Sequence, residues 1–337
     1  MSRLPVPRGP VSEVLLTALA GEPGSLPPVA VTAPGDPLAD DDLHLSLYVL
    51  YELHYRGFDG VDDRWEWDPD ALALRARLEA IFEDGLDGAL RGWAPPAADG
   101  ATMDLALRAI IDADDGPSLA RHLEVAGSLE QFREFAMHRS AYQLKEADPH
   151  SWALPRLWGR PKAAMVEVQT DEYGGGDAAR IHAQLFADAM DALGLDRTYG
   201  AYLDVLPGIT LATVNLMSLF GLHRRHRARI VGHLALFEMT SSIPNRRYAT
   251  ALRRLGVDDS RATEFFDEHV TADAVHENIA AIDLAGGLVE QDPAAAAGIL
   301  YGARALVEVE ARWAAHLLGR WDAGRSSLAA APTEVAA

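Results

Sequence analysis

The sequence predicts an all-α fold, and three observations carry that prediction. Segments such as LHLSLYVLYELHY, PDALALRARLEAIFEDGL, SLEQFREFAMHRSAYQLKEA and AAAAGILYGARALVEVEARWAAHLLGRW repeat apolar residues at three-to-four spacing, the pattern of a helix with one buried face. Convincing alternating apolar and polar runs, which would make half-buried strands, are absent. Turn signals then punctuate the helical runs at Asp148-Pro149, Gly174 to Gly176, the Gly194 region, Pro207-Gly208, Pro244, Gly256, Gly286-Gly287 and Pro293. Together they predict about ten helices, with connections mostly short enough for one compact bundle.

In chain order, residues 1–38 hold eight of the 19 prolines and read as a flexible arm with at most one short helix around Val11 to Ala20. Residues 39–325 read as a single helical domain, because no linker divides them and no internal repeat is visible. Residues 326–337, SSLAAAPTEVAA, read as a frayed tail.

Composition removes whole classes of function. The absence of cysteine excludes disulfides, thiolate zinc sites, cysteine-ligated iron-sulfur clusters and cysteine nucleophiles, so any metal must sit on nitrogen and oxygen ligands. Thirty basic against 50 acidic residues give a net charge of −20, a field that repels nucleic acid and anionic membrane surfaces. No apolar run approaches the roughly 20 residues that span a bilayer. The start MSRLPVPRGP carries prolines where an export signal would carry its apolar stretch, and a cytoplasmic location is expected. The basic cluster HRRHRARI, from His223 to Ile230, is read as a solvated helix end in preference to an anion site.

Three segments carry candidate chemistry. In EFFDEHVTADAVHENI, offsets of four and seven at about 100° per residue put His269, Asp273 and His276 on one helical stripe, a donor set suited to ferrous iron, manganese or zinc. In MVEVQTDEYGGGDAARIHAQLF a straight helix would leave Glu172 about 80° from His182, with Glu167 somewhat closer. Geometry alone does not choose between those acids. Three consecutive glycines cost roughly 1 kcal/mol each relative to alanine within a helix, so a bend or widened turn there would re-aim Glu172. In HRSAYQLKEADPHSW, Glu146 lies near the C-terminal end of a long helix, where the dipole disfavours an acid and a cation partner would offset the cost. Three carboxylates leave two divalent cations at a net charge of +1 before a bridging oxide is counted.

Those segments, with GHLALFEMTSSIPNRRY, make the chain resemble the heme-oxygenase-like diiron oxidases and oxygenases, the iron-containing redox enzymes, from about Asp40 to Trp321 and most strongly from Phe132 to Glu277. The resemblance implies a seven-helix core like that of heme oxygenase, used without heme, with extra N-terminal helices around YVLYELHYRGF. It implies a ligand set of Glu146, Glu172, His182, His269, Asp273 and His276 holding two Fe(II) ions, with O₂ as co-substrate and a peroxo-diiron species as oxidant. It also implies a small-metabolite substrate, N-oxygenated, oxidatively decarboxylated or cleaved at a carbon-carbon bond, within a biosynthetic pathway. An electron donor and a homodimer remain open as partners; nucleic acid and membrane do not. Two rival readings stand beside this one: a metal-free enzyme on the same fold that handles a cofactor or heterocycle, and a non-enzymatic helical iron-binding or interaction protein.

Further polar residues rank lower. Glu238, in the otherwise apolar HLALFEM, is a candidate to support the ligands or contact substrate, equally readable as a buried acid bonded to Ser241 or Arg247. Tyr142, one turn before Glu146, is a candidate to orient it, with core packing the plainer role. His44, His54 and His138 are read as packed, hydrogen-bonded histidines.

Overall fold

The computed structural model describes residues 2–24 and 26–330, with the side chains of all of these except 271–275. In chain order the longer helices are α1 (Pro10–Leu19), α2 (Asp41–Glu52), α3 (Pro69–Ala89), α4 (Met103–Asp112), α5 (Leu119–Val125) and α6 (Leu129–Gln143). They are followed by α7 (Gly159–Glu172), α8 (His182–Ala192), α9 (Gly208–Leu222), α10 (Arg227–Arg254), α11 (Arg261–Asn278) and α12 (Ala295–Asp322). The one strand-like pairing among the described residues is an isolated bridge between Ser2 and Phe58, so the fold is all-α as its periodicity predicts. None of the described helices is long and apolar enough to cross a membrane.

Packing follows hydrophobic pattern. α9, GITLATVNLMSLFGL, is apolar almost all round, and every residue from Gly208 to Gly221 is buried. α10 is flanked by α5, α11 and α12. It meets α12 at Gly232 and Gly302, where a Cβ would overlap the carbonyl oxygens of Ile299 and Arg229. Only glycine permits that approach, and it draws the two 28-residue helices into direct backbone contact.

Five expectations are corrected. Pro244 does not end a helix but lies inside α10; it lacks the N–H that would bond the Thr240 carbonyl, and the helix continues through Arg254. Gly286-Gly287 does not separate helices either. α11 runs on into a π-helix, Ile279–Gly286, and then into Gly287–Gln291, with Gly286 packed close against the Gly100 carbonyl. The basic cluster is a helix end, the start of α10, but it is held by more than solvent: Arg225, His226 and Arg229 converge on Glu83 of α3.

The proline-rich segment is likewise no loose arm. Leu15 and Leu19 of α1 are buried, Asp42 accepts hydrogen bonds from the N–H groups of Val11 and Ser12 at 3.0 and 2.8 Å, and Arg8 donates to the carbonyls of Leu203 and Leu206. Apolar burial and satisfied helix-start N–H groups hold it where proline content alone suggested freedom. The expected tail also starts anchored: Ser327 is buried and donates to Glu134 through both its N–H and its hydroxyl. Residues 331–337 lie outside the described residues.

The α10–α12 contact yields a stability prediction. Gly302→Ala should cost about 1–3 kcal/mol, because the added methyl must push the Arg229 carbonyl away. Urea denaturation reads this as a lowered midpoint; an unchanged midpoint would show that the helices separate at little cost.

Candidate metal centre

Glu172 is the last residue of α7 and His182 the first of α8, so the chain breaks between them instead of bending within one helix. Gly174, Gly175 and Gly176 take φ values of 67, 61 and 89°, in the left-handed region that glycine adopts without penalty. At Gly174 a Cβ would also lie 2.6 Å from the Arg180 carbonyl carbon. This reversal brings His182 Nδ1 to 3.0 Å from Glu172 Oε2. Glu167 is exposed on the other side of α7, which separates the two acids that helical geometry left undecided.

Glu146 sits in the turn that follows α6. Its neighbour Ala147 has a positive φ of 72°, a conformation that costs energy without a glycine and persists only where surroundings enforce it. Those surroundings are visible. Lys145 turns away from Glu146 to meet Glu52 of α2 at 2.8 Å, both side chains buried, while Tyr199 donates to the same carboxylate at 2.7 Å. Arg56 donates to the Leu144 carbonyl at 2.9 Å, and the Gln169 amide to the Ala147 carbonyl at 3.1 Å. The N-terminal helices therefore hold the turn that aims Glu146 inward.

From α11, His269 Nδ1 lies 2.7 Å from the Phe265 carbonyl. A carbonyl only accepts, so Nδ1 carries a proton, and Nε2 faces Glu146 Oε1, 3.6 Å away. His276 is arranged in reverse: Nε2 pairs with Asp171 at 2.9 Å and Nδ1 faces Glu238 Oε2 at 3.4 Å. Two groups result, Glu146 with Glu172, His182 and His269, and Glu172 with Glu238 and His276, each with its ligand atoms within 4.8 Å of one another. Glu172 belongs to both. Five of the six residues singled out in the sequence thus converge; the side chain of the sixth, Asp273, lies outside the described residues.

The donor set fits metal ions by an independent sign. Buried Glu146 Oε2, Glu172 Oε2, His182 Nδ1 and His276 Nδ1 have no hydrogen-bond partner, although His182 and Glu172 stand close enough for one. At 3.0 Å the two atoms face one another without forming a hydrogen bond. Donor atoms about 2.1 Å from one ion, at right angles to each other, stand about 3 Å apart. Orphaned buried polar atoms are costly, and here they cluster where a cation would satisfy all of them.

Electrostatics agree. Burial raises the Glu172 carboxyl to about 7, with His269 opposing and the Glu238 charge adding to the shift. Burial raises Glu146 as well, again against His269. Burial and the neighbouring His269 hold His182 down at about 4. For His276 burial pulls downward, but Glu238 and Asp171 together outweigh it and leave the imidazolium at about 9.

A cavity of about 250 Å³ opens on Glu146 and His269 and is walled by α6, α10 and α12, and the same two residues border the narrow cleft that holds Glu172 and Glu238. Glu238 is closer to the centre than its sequence reading suggested. Its carboxylate faces His276, while Ser241 donates to its main-chain carbonyl and Arg247 pairs with Glu124. Tyr142 borders the cleft and packs edge-on against Phe237. His44, His54 and His138 are the packed, bonded histidines expected, on Pro37, on Glu66 and Arg75, and on Thr210 and Ser327.

Three contributors escaped sequence reasoning. Asp171 orients His276, Lys145 with Glu52 anchors the Glu146 turn, and the buried pair of His150 and His233, 3.0 Å apart, backs the cleft. Asp171 alone left a signal, its adjacency to Glu172; the other pairs join residues more than 80 positions apart.

Comparison with known proteins gives one result. A family model described as iron-containing redox enzyme matches residues 133–311, more than half of the chain, from within α6 to within α12. No curated protein matches the chain.

The titration of the centre predicts a pH effect with a definite sign. Glu172 is raised above its ordinary value of 4.5, so the metal-free protein loses stability as pH rises through 4.5 to about 7, where the buried carboxyl must ionise. His276, raised above 6.5, stabilises fully below 6.5, and that contribution is lost as pH rises through about 9. Metal-free Glu172→Gln should therefore melt above the wild type at pH 8, with the gap closing toward pH 4.5. Metal should reverse the order at pH 8. Melting curves across this range check it, and a wild type at least as stable as the variant at pH 8 without metal would contradict it.

Proposed function

The chain belongs to the iron-containing redox enzyme family, and from that premise we propose that it is a non-heme diiron oxygenase or oxidase that uses O₂ to oxidise a small metabolite. The observation that carries this reading is the sharing of Glu172 between two groups of buried carboxylates and imidazoles. A shared carboxylate is what two adjacent ions require. Glu146, His182 and His269 would hold one ion and His276 with Glu238 the other, Glu172 would serve both, and Asp273 would complete the set. Four carboxylates then balance two divalent cations, which removes the net charge that burial penalises.

Two ferrous ions, when bound, supply the electrons that reduce O₂. The chain's own groups prepare the site for this. His269 would keep its proton on Nδ1 against the Phe265 carbonyl and ligate through Nε2, and His276 would keep one on Nε2 against Asp171 while Nδ1 gives up its own. Glu146 and Glu172 lose their carboxyl protons as metal enters. Leu234 and Phe237 border the cleft and limit water beside it, and the adjoining cavity brings substrate to the Glu146 and His269 edge.

Anaerobic loading should give about two irons per chain, since the donor set exceeds what one ion takes from side chains. His182→Ala and Glu172→Gln should lose iron and O₂ uptake, while Glu167→Gln, altering an exposed acid, should leave both nearly intact. Unchanged iron content and O₂ uptake in both of the first two variants would overturn the assignment.

A further inference from the structure

The cavity beside the centre has a chemistry of its own. Phe135, Phe237, Tyr248, Phe266 and Trp313 supply ring walls. Several already pack in aromatic geometry, Phe135 against Tyr248 at 4.5 Å between centroids and Tyr248 against Phe266 at 5.6 Å. A further ring inserted among them gains both apolar burial and edge or face contacts.

Charge on the wall is closed. Arg139 and Glu310 form a two-pronged pair at 2.9 and 2.7 Å, and the guanidinium lies 4.1 Å over the Trp313 ring. An anionic substrate would have to displace that pair or remain without a counter-charge, and a cation would meet only Asp114, which is exposed to solvent, and Glu146, which belongs to the metal centre, so ionised substrates lose hydration for little return. Size points the same way. An apolar cavity of roughly 150 Å³ accepts benzene, so about 250 Å³ suits two fused rings. Arg139 and Gln143, one helical turn apart near the end of α6, and Glu146 in the turn that follows line one side of it, leading from the ion pair to the metal edge.

We infer that the cavity, lined by closely packed aromatic rings between the closed Arg139–Glu310 pair and the Glu146–His269 edge, binds an uncharged aromatic molecule of about two fused rings. This rests on the diiron reading only for the reaction that follows; the binding itself requires no metal.

Calorimetric titration of the full chain, metal-free and anaerobically loaded with Fe(II), tests it with three probes: indole, indole-3-acetate and tryptamine. Indole should bind in both states, at least about tenfold tighter than either charged probe. Ala311→Phe, which fills the cavity from α12, should abolish indole binding while iron content stays unchanged. Glu310→Gln leaves Arg139 without its counter-charge and should raise indole-3-acetate affinity about tenfold relative to indole, a gain that misfolding cannot imitate. Charged probes binding wild type as tightly as indole, absence of indole binding, no gain in Glu310→Gln, or indole binding retained in a folded Ala311→Phe would each overturn the inference. Indole binding without iron uptake would instead sink the diiron reading and leave this one standing.

Discussion

The burial of Glu146, Glu172 and Glu238 around unpartnered imidazole nitrogens is the constraint on which the rest of the structure depends. Carboxylates that face one another away from water repel and lose hydration, and the raised carboxyls of Glu146 and Glu172 are the direct sign of that cost. A fold that keeps such a cluster needs stability elsewhere and a ligand that reverses the sign of the interaction. Under the proposed function, two cations would do the second. The long buried helix α9 and the glycine contact between α10 and α12 contribute to the first.

Local distortions cluster where the ligands are aimed. Three left-handed glycines separate Glu172 from His182, a positive φ at Ala147 follows Glu146, and a π-helix follows the helix that carries His269 and His276. Pro244 lies on the cavity wall one turn and a half beyond Glu238. Regular helix places side chains only at fixed angular steps, so convergence of residues from α7, α8, α10, α11 and the turn after α6 requires departures from regularity. The N-terminal helices belong to this account, since Glu52 reaches across to Lys145 and braces the Glu146 turn from behind.

Much of this was legible in the sequence because it is local or periodic. Three-to-four spacing revealed the helices, and the spacing of His269 and His276 placed them on one stripe of α11. The glycine run marked a break before the structure gave its form. Long-range pairing was not legible. Nothing near Glu52 announces Lys145, and nothing near His150 announces His233, because such pairs exist only after distant helices pack. Glu238 was visible as an oddity in an apolar run, but its facing of His276 depends on the crossing of α10 with α11. Proline content misled twice, at residues 1–38 and at Pro244, because tertiary contacts outweigh local backbone preference. Asp273 rests on its place in the stripe.

The central claim is that one shared carboxylate joins two metal positions. X-ray absorption at the iron edge, on protein loaded anaerobically with Fe(II), addresses it most directly. The account predicts nitrogen and oxygen neighbours only, together with an iron–iron scattering vector of roughly 3.5–4 Å that disappears in Glu172→Gln. A spectrum of isolated irons with no such vector in the fully loaded wild type would contradict it.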